Sequence, residues 1–376
     1  MRVLENWHIS ETEFPKENIH HKETVFTIGN GYLSSRGAFE EGYPGEIATT
    51  FVHGVFNDVP TFGTELVNFP SPFHLAIRLG DENFQLDRGK ILAYKRTLSL
   101  ENGLLTREVT WESPHGRRAS FLFERFFDMQ AIHHAVLRFH LCDFNFNGPV
   151  QIRAGLPGVV SNEAYRHWKH VSQERLGSGT CSLVLRTSQT EILAGMVEAV
   201  SVDFDGEIQE AYWDSQWTPT IVNTCAVKPG DQIIGQKHVA IFTSREVSDP
   251  ITAAEQAVER CASAGYVHSI EESTAVWKDL WSRSNITIEG DDLADRALRY
   301  NLFQILIAAP RHDDMVSIGA KTLSGYGYRG HVFWDTEIFI LPFLIYTQPA
   351  IARNLLMYRY HTLEGAREKA IENGYQ

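Results

Sequence analysis

The residues best suited to chemistry lie in one short segment of the chain, Gly325–Glu337. Three glycines in its first six residues allow the backbone to turn sharply and to approach another group closely. An arginine, a histidine, a tryptophan and two carboxylates follow within nine residues. This mixture suits a sugar, because an aromatic ring packs on the apolar face of a pyranose and a carboxylate accepts hydrogen bonds from paired hydroxyls.

The two carboxylates of the segment, Asp335 and Glu337, are predicted to have different roles. Their spacing places them on different faces of a helix, whereas a pair that hydrolyses a glycoside must flank the sugar. We therefore predict that Asp335 binds sugar hydroxyls. Glu337 is expected to brace the loop, or to accept a hydrogen bond from Arg329 or His331. The predicted substrate-binding residues are Arg329, His331, Trp334 and Asp335, with Glu337 and Tyr328 as support.

Plainer interpretations of these residues remain open from the sequence. A carboxylate at a helix N-terminus is favoured by the helix dipole, which could account for Asp335 or Glu337 without any ligand. Trp334 could belong to the core. Metal binding has little support, because the clusters His20-His21, His133-His134 and His312–Asp314 lack the His-x-x-x-His spacing that puts two imidazoles on one helical face.

Composition excludes several classes of protein. Hydrophobic residues make up 43% and charged residues 22% of the 376 residues, which is typical of a globular protein with a sizeable core. The net charge of −13 and the lack of a Lys/Arg run argue against nucleic acid as a partner. The longest apolar run, 338–346, is about half of a membrane span, so we expect no membrane association.

The four cysteines and the N-terminus predict a cytoplasmic protein. Cys142, Cys181, Cys225 and Cys261 form no Cys-x-x-Cys pair and are expected to be free thiols in a reducing compartment. The acidic residues Glu5, Glu11, Glu13 and Glu17 are unlike a signal peptide.

Most of the chain, from about residue 20 to residue 245, has the pattern of short strands. Residues 91–101 alternate in hydrophobicity, and Asn102-Gly103 separates them from a second run, 104–111. An Asn-Gly pair between such runs predicts a hairpin with both turn residues at positive φ. Further strands are predicted at 119–127, 133–141, 182–187, 192–204, 220–227 and 233–242. We predict a large antiparallel β-sandwich over residues 1–247.

Two segments of this part contain residues that a β-sandwich alone does not require. Residues 28–37 form a glycine-rich loop with an arginine, and residues 165–170 form a basic and aromatic patch on a predicted loop. Each is either an edge loop that packs on the next domain or a loop that reaches into a neighbouring active site.

Helical patterns begin after Ser248-Asp249-Pro250, where Asp249 is a good N-cap. A first helix is expected to stop at Gly265, and a capping box at 269–272 to open a second, with Trp277 and Trp281 in the core. These two helices form a predicted linker, 248–290.

The last part, 291–376, is predicted to start a helical catalytic domain. Asp291-Asp292 should cap a third helix that ends at Pro310. An irregular loop over 311–331, a buried helix over 337–346 and one more helix from Gln348-Pro349 should follow. The predicted apolar stripe of the third helix is Ala294, Ala297, Leu298, Leu302, Ile305, Leu306 and Ala309. Three long helices leave their buried faces open, so we expect a longer polypeptide or a second chain to complete the domain.

Three stretches of the sequence match a known family: Phe26–Leu33, Ser324–Glu337 with its Phe-Trp-Asp-Thr-Glu sequence, and Leu355–His361 before Gly365–Arg367. On these residues the chain resembles glycoside hydrolase family 65, the α-glucoside phosphorylases of the maltose, trehalose, kojibiose and nigerose types. The resemblance runs from about residue 5 to the end. It implies a β-sandwich, helical linkers and the first helices of an (α/α)6 barrel.

The resemblance further implies inverting phosphorolysis of an α-linked glucosyl disaccharide to β-glucose 1-phosphate and a free sugar. Inorganic phosphate is the co-substrate, and no metal or organic cofactor is implied. The family's Trp-Asp pair, here Trp334-Asp335, holds the glucosyl unit. The general acid, a glutamate, is expected downstream of Gln376, so no catalytic residue is assigned within the chain. Tyr326 replaces a glutamate found in several members, which bears on the acceptor sugar.

Two other functions remain as alternatives. One is an α-glucoside hydrolase of the same fold, and the other is a non-catalytic carbohydrate-binding or assembly module. The expected partners are the disaccharide or glucose, phosphate and the remaining segment of the catalytic domain. The sequence leaves open the glycosidic linkage, whether the protein is a homodimer, and why the chain ends at Gln376.

Overall fold

The architecture follows the predicted order of strands and then helices in a computed structural model, which describes residues 7–14, 17–45, 48–60, 63–163 and 165–375. Glu5, one of the acidic N-terminal residues, lies outside them. Within these residues the strands are β1 (His8–Glu11), β2 (Ile28–Gly29), β3 (Leu33–Ser35), β4 (Thr50–Val59), β5 (Gly63–Asn68), β6 (Leu75–Leu79), β7 (Glu82–Asn83), β8 (Lys90–Ser99), β9 (Leu105–Glu112), β10 (Arg118–Phe127), β11 (His134–Cys142), β12 (Gly148–Gly155), β13 (Trp168–Gly177), β14 (Thr180–Thr187), β15 (Leu193–Phe204), β16 (Ile208–Ser215), β17 (Thr218–Val227) and β18 (Ile233–Thr243).

The helices of the described residues are α1 (Ile19–Val25), α2 (Pro250–Ser284), α3 (Asp292–Ala308), α4 (Leu341–Thr347), α5 (Pro349–His361) and α6 (Leu363–Glu372). A 3₁₀ turn covers Gly327–Gly330 and a π-helix covers Thr336–Ile340. None of these helices is both long enough and apolar enough to cross a membrane.

The strands form three antiparallel sheets. The nine-stranded sheet has the order β1-β8-β9-β10-β11-β18-β15-β14-β13, and the five-stranded sheet has the order β16-β17-β12-β6-β7. A third sheet, β2-β3-β4-β5, borders the helices. Leu98 and Trp111 of the large sheet share one buried core with Ile77 and Ile152 of the five-stranded sheet. The predicted fold class, a large antiparallel sandwich followed by helices, is confirmed.

The hairpin predicted at Asn102-Gly103 is present, but its turn is longer than predicted. Strands β8 and β9 pair with Leu98 opposite Leu105. Gly103 has a φ of 70°, and its N–H donates to Ser99 O at 2.9 Å. The prediction of positive φ at both turn residues is wrong for Asn102, because a four-residue loop needs the left-handed conformation only at its last position.

The long helix α2 is interrupted at Gly265, where φ is 80° and ψ is 173°. The predicted stop is therefore present, but the predicted capping box at 269–272 is wrong, because Ser269 lies inside the second half of the helix. Tyr266 begins that half, and its N–H donates to Oε1 of Gln236 on β18 at 3.0 Å. A sheet residue therefore caps the second half, while Asp249 caps the first as predicted.

Helix α3 begins at the predicted cap, where Asp291 accepts hydrogen bonds from Leu293 N and Ala294 N. Its buried face differs from the predicted stripe. Ala297 is exposed, and the face includes the ion pair Arg299–Asp295, with 2.7 Å between Nη1 and Oδ2. Leu302, Leu306 and Ala309 are buried as predicted, together with Phe303 and Ile307.

The final helices are more divided than predicted. The helix expected over 337–346 is a π-helix followed by α4, and the helix expected from Gln348 onward breaks at Thr362 into α5 and α6. Trp277 and Trp281 are core residues, as predicted. The domain boundaries at 247 and 290 stay predictions, with β18 ending at Thr243 and α3 beginning at Asp292.

Candidate functional site

The Gly325–Glu337 segment lies against the third sheet of the sandwich. His331 Nε2 is 2.6 Å from the carbonyl oxygen of Thr64 at the start of β5. Gly330 approaches Leu66 so closely that a Cβ at this glycine would lie 2.5 Å from Leu66 Cβ. His331 O in turn accepts a hydrogen bond from Ala320 N, at 3.2 Å. The sandwich therefore sets the position of this segment.

Trp334 and Asp335 lie where the segment enters the π-helix. Trp334 is 75% exposed, so the core interpretation does not hold in this chain. Asp335 sits at the first position of the helix, but its side chain makes no capping hydrogen bond. Behind the pair, Thr336 is buried and its hydroxyl donates to Ile318 O at 2.8 Å. The backbone is thus anchored, while the Trp334 side chain is exposed and the half-buried Asp335 carboxylate is not used to cap the helix.

Glu337 braces the segment through a partner that the sequence did not suggest. Arg359 on α5 donates from Nε to Glu337 Oε1 at 2.8 Å and from Nη2 to Oε2 at 2.9 Å. The same guanidinium donates to Phe333 O at 2.6 Å. The hydrogen bond to Glu337 raises the pKa of Arg359. The expected partners Arg329 and His331 are therefore corrected to Arg359, because the helix brings a residue from farther along the chain to the carboxylate.

Tyr328, Arg329 and His331 lie in a different place from Trp334 and Asp335. Tyr328 and Arg329 adopt left-handed conformations, with φ of 53° and 56°, in the 3₁₀ turn. Left-handed backbone at consecutive non-glycine residues costs free energy and is characteristic of functional sites. Together with Tyr326 and His331 they face a cavity of 360 Å³ that also involves sandwich residues. The structure therefore divides the predicted substrate-binding residues into two groups.

His53 is a residue of this region that the sequence analysis missed. It is buried in β4, with Nε2 2.9 Å from Ser317 O and Nδ1 3.2 Å from Gly31 O. It thereby joins the sandwich to the loop that precedes the site. Burial lowers the pKa of His53, while its bonds to the two carbonyls act in the opposite direction. No local pattern marks this histidine, because both partners come from other parts of the chain.

The glycine-rich segment at 28–37 is only partly a loop, because it contains β2 and β3, and it packs on the helical part, which supports the packing interpretation. Gly31 N donates to Ile307 O at 2.8 Å. The Asn30 side chain accepts from Leu33 N at 2.8 Å and donates to Asp128 O at 2.7 Å. The basic and aromatic patch at 165–170 is only partly a loop, because β13 begins at Trp168.

The described residues include one group with the spacing of metal ligands, and it lies outside the histidine clusters that the sequence offered little support for. Asp81, Glu82 and His115 lie within reach of a shared ion, but Arg117 pairs with both carboxylates. His134 contacts His238, with Nε2 2.9 Å from Nδ1.

Comparison with known proteins places these features in context. Residues 9–280 match the glycosyl hydrolase family 65 N-terminal domain, and residues 299–376 match the central catalytic domain of that family. The kojibiose phosphorylase of Halothermothrix orenii is 36% identical over 99% of this chain and 49% of its own length. The alpha,alpha-trehalose phosphorylase of Thermoanaerobacter brockii is 30% identical over 99% of this chain and 52% of its own length.

A solved structure described as a candidate kojibiose phosphorylase from the human microbiome superposes with a TM-score of 0.89. It covers 98% of this chain and 50% of its own, at 24% identity, and so supports the fold. The chain spans about half the length of the curated relatives it matches.

Proposed function

Because this chain belongs to glycosyl hydrolase family 65, we propose that it supplies the sandwich and part of the glucose-binding site of an inverting phosphorylase. The reaction cleaves an α-linked glucosyl disaccharide with inorganic phosphate and gives β-glucose 1-phosphate and a free sugar. The phosphorylases among its relatives, named for kojibiose, trehalose and nigerose, support this class of substrate.

The observation that carries the proposal is the presentation of Trp334 and Asp335. Their backbone is fixed by Thr336 and by the Glu337–Arg359 pair, while the indole is exposed and the carboxylate makes no cap. An exposed ring on an anchored backbone, beside a carboxylate that does not cap the helix, suits the apolar face and the hydroxyls of a glucosyl unit.

The chemical step needs groups beyond those assigned here. In the proposed mechanism a glutamic acid protonates the glycosidic oxygen while phosphate attacks the anomeric carbon from the opposite face. We expect that glutamate downstream of Gln376. Phosphate is the co-substrate, and the proposed reaction uses no metal ion or organic cofactor.

The remaining segment of the catalytic domain is the proposed partner of this chain. Ile338, Phe339, Tyr346 and Tyr360 are exposed on the π-helix, α4 and α5. Covering such apolar side chains is favourable by about 25 cal/mol per Å², and the further helices of the barrel would do so. All four cysteines are free thiols, which fits the proposed cytoplasmic location.

Product analysis tests the proposal. The complete polypeptide that carries this chain is incubated with a panel of α-glucobioses, with and without inorganic phosphate. We expect sugar phosphate to form only when phosphate is present. Free glucose alone, formed at the same rate without phosphate, would show a hydrolase instead. No cleavage of any member of the panel would overturn the enzymatic proposal.

A further inference from the structure

The outer face of the five-stranded sheet carries a line of polar side chains. Gln151 of β12 lies opposite Thr224 of β17 on one side and opposite Arg78 of β6 on the other. Gln209 of β16 extends the line beyond Thr224 to one edge of the sheet. At the other edge Asn83 of β7 lies opposite Arg78. Because directly opposite residues share a face, these five side chains run across all five strands.

Arg153 of β12 stands beside this line. Its direct partner on β6 is Ala76, so Arg78 is its diagonal neighbour, at about 7–8 Å. Ile77 and Ile152, which alternate with these residues along the two strands, are buried in the core, so both arginines lie on the outer face. Burial, and then the positive charge of Arg78, lower the pKa of Arg153. Two guanidiniums are thus neighbours on this face.

The five strands place no carboxylate on this face. Their described residues include three acidic side chains, which all alternate onto the other face: Glu82, Glu210 and Asp214. Each has a partner there, as Glu210 has in Arg175 at 2.5 Å. Just before β16, Glu207 accepts from the amide of Gln209 at 3.4 Å, two strands away from Arg153. The two guanidiniums therefore have no partner of opposite charge on their own face of these strands.

The contacts that hold Arg153 are with neutral groups. Nη2 donates to Gln151 Oε1 at 2.7 Å, and the guanidinium carbon lies 4.7 Å from the ring centroid of Trp213. Packing on the indole face orients the plane of the guanidinium. The Nε of Arg153 is buried and has no acceptor among the described residues. A buried donor without an acceptor is unfavourable, and an oxyanion would satisfy it.

We propose that Arg78, Gln151 and Arg153 bind a phosphate group on this face of the sandwich. Two guanidiniums match the charge of a phosphate dianion, and their N–H groups pair with its oxygens. Gln151 accepts from Arg153 through its amide oxygen, which leaves the amide NH2 as a further donor. The hydroxyl of Thr224, on the neighbouring strand, adds another.

Other classes of ligand fit these groups less well. A cation would meet two positive charges, and an apolar molecule would cover polar groups without replacing their hydrogen bonds to water. An uncharged sugar would leave the repulsion between Arg78 and Arg153 in place. The phosphate group can belong to free inorganic phosphate or to a phosphorylated sugar, since both present the same oxygens.

This phosphate site lies apart from the residues proposed to hold glucose. Trp334 and Asp335 stand at the start of the π-helix, in the segment that packs on the third sheet, whereas Arg78 and Arg153 belong to the five-stranded sheet. The site is therefore independent of the phosphorylase proposal, and its test is a measurement of binding.

The experiment titrates the complete polypeptide by calorimetry with inorganic phosphate, with β-glucose 1-phosphate and with the uncharged methyl α-glucoside. The ionic strength is held constant, because salt screens exposed charges. The variants are Arg78→Gln, Arg153→Gln and Arg153→Lys. Arg283→Gln is the matched control, because it removes the same charge from an exposed arginine of α2.

We expect Arg78→Gln and Arg153→Gln each to raise the Kd for a phosphate-bearing ligand by about tenfold or more, as for loss of hydrogen bonds to a charged group. Arg153→Lys should raise the Kd as well, because an ammonium keeps the charge but lacks the fork of N–H groups. Arg283→Gln should leave the Kd unchanged. Phosphate that binds elsewhere in the polypeptide is common to all variants.

The two sources of phosphate give different results. If the Kd for inorganic phosphate rises in the two Gln variants, the site takes free phosphate. If only the Kd for β-glucose 1-phosphate rises, the site takes a phosphorylated sugar. Urea unfolding checks that each variant is folded, and Arg78→Gln supplies the test if Arg153→Gln does not fold.

Two results would overturn the proposal. One is an unchanged Kd for both phosphate-bearing ligands in the folded variants, or no binding of either ligand by the wild-type protein. The other is binding of methyl α-glucoside that weakens in the same variants, because an uncharged sugar would then be the occupant of this face.

Discussion

Asp335 is the single residue whose proposed role can be measured most directly. Asp335→Ala in the complete polypeptide removes the hydrogen bonds to sugar hydroxyls while the anchors of the loop, Thr336 and Glu337–Arg359, remain. We expect kcat/KM for the disaccharide to fall by about 10²-fold or more. Steady-state phosphorolysis measures this effect.

Asp205→Ala provides the comparison for Asp335→Ala, because Asp205 is exposed in a turn of the sandwich. It should leave kcat/KM unchanged. If Asp335→Ala also leaves kcat/KM unchanged, Asp335 does not bind the sugar and the carboxylate merely occupies a helix start.

The role of a single residue can be predicted from the sequence only where the residues that it contacts are also close to it in the chain. The Phe-Trp-Asp-Thr-Glu sequence by itself marks Trp334 and Asp335 as candidates, because the ring and the carboxylate are adjacent in the chain. The partner of Glu337 cannot be found in this way, because Arg359 lies 22 residues away and reaches it only once α5 has packed. The role of His53 cannot be predicted from the sequence for the same reason.

Among the elements, the turn between β2 and β3 packs closely against the C-terminal end of α3. Gly31 has a φ of 86°, and a Cβ there would lie 2.2 Å from the carbonyl oxygen of Ala309. Gly31→Ala therefore adds a clash with backbone to the strain of a left-handed alanine. We expect it to lower the free energy of unfolding by more than about 2 kcal/mol, measured by urea denaturation.

Gly116→Ala is the matched variant for Gly31→Ala. Its φ of 81° is similar, but a Cβ there meets nothing within 4 Å. Gly116→Ala should lower the free energy of unfolding only through the strain of a left-handed alanine, by about 1 kcal/mol. If Gly31→Ala and Gly116→Ala lower the free energy of unfolding equally, the contact with Ala309 is not needed for stability.

Elements are predicted well where one physical signal dominates. Alternating hydrophobicity locates β8, β9, β10 and β18 to within a few residues, because each has one face in the core. The buried face of α3 is predicted less well, since Arg299 and Asp295 satisfy each other and so enter the core as a pair. The start of β13 is predicted as a loop because its residues are polar and aromatic without alternation.

At the scale of the whole molecule, the buried ammonium of Lys237 joins the two main sheets. Lys237 of β18 lies 2.8 Å from Glu198 of β15, and both side chains are fully buried. The ammonium also donates to His74 O and Gly155 O at 2.9 Å, at the five-stranded sheet. Lys237→Met leaves Glu198 charged and buried, so we expect a loss of about 3–5 kcal/mol in unfolding free energy.

Two further variants test the origin of that loss. Lys237→Met combined with Glu198→Gln should recover part of the stability, because no unpaired charge then remains. Lys90→Met breaks the exposed ion pair with Glu112 and should lower the free energy of unfolding by at most about 1 kcal/mol. If Lys237→Met lowers the unfolding free energy in urea as little as Lys90→Met does, Lys237 does not hold the two sheets together.

Buried and half-buried histidines make the whole molecule sensitive to acid. Desolvation lowers the pKa of His74 and His133 to about 4 and that of His238 to about 3. At His134, by contrast, hydrogen bonds, foremost the one to Asp128, outweigh burial and raise the pKa to about 8. In the unfolded chain each imidazole binds a proton near pH 6.5, so unfolding takes up protons below that pH. The stability contributed by the neutral imidazoles is present above pH 6.5 and is lost as the pH falls towards 4.

Urea unfolding between pH 7.5 and 5.5 measures this dependence, since most carboxylates remain ionised there. We expect the unfolding free energy to fall with decreasing pH below 6.5, and His74→Gln to make the fall less steep. If the slope below pH 6.5 is the same for His74→Gln and for the unchanged protein, the imidazole of His74 is protonated equally well in the folded and unfolded states.

The order of the nine-stranded sheet also has a consequence for synthesis on the ribosome. Strands β8–β11 and β13–β15 each pair with sequence neighbours, but the two groups meet only through β18, where Ala240 lies opposite His134. The chain up to Thr243, the end of β18, must therefore leave the exit tunnel before the sheet can close. Until then both groups expose pairing edges, and a nascent chain released early would present them to other molecules.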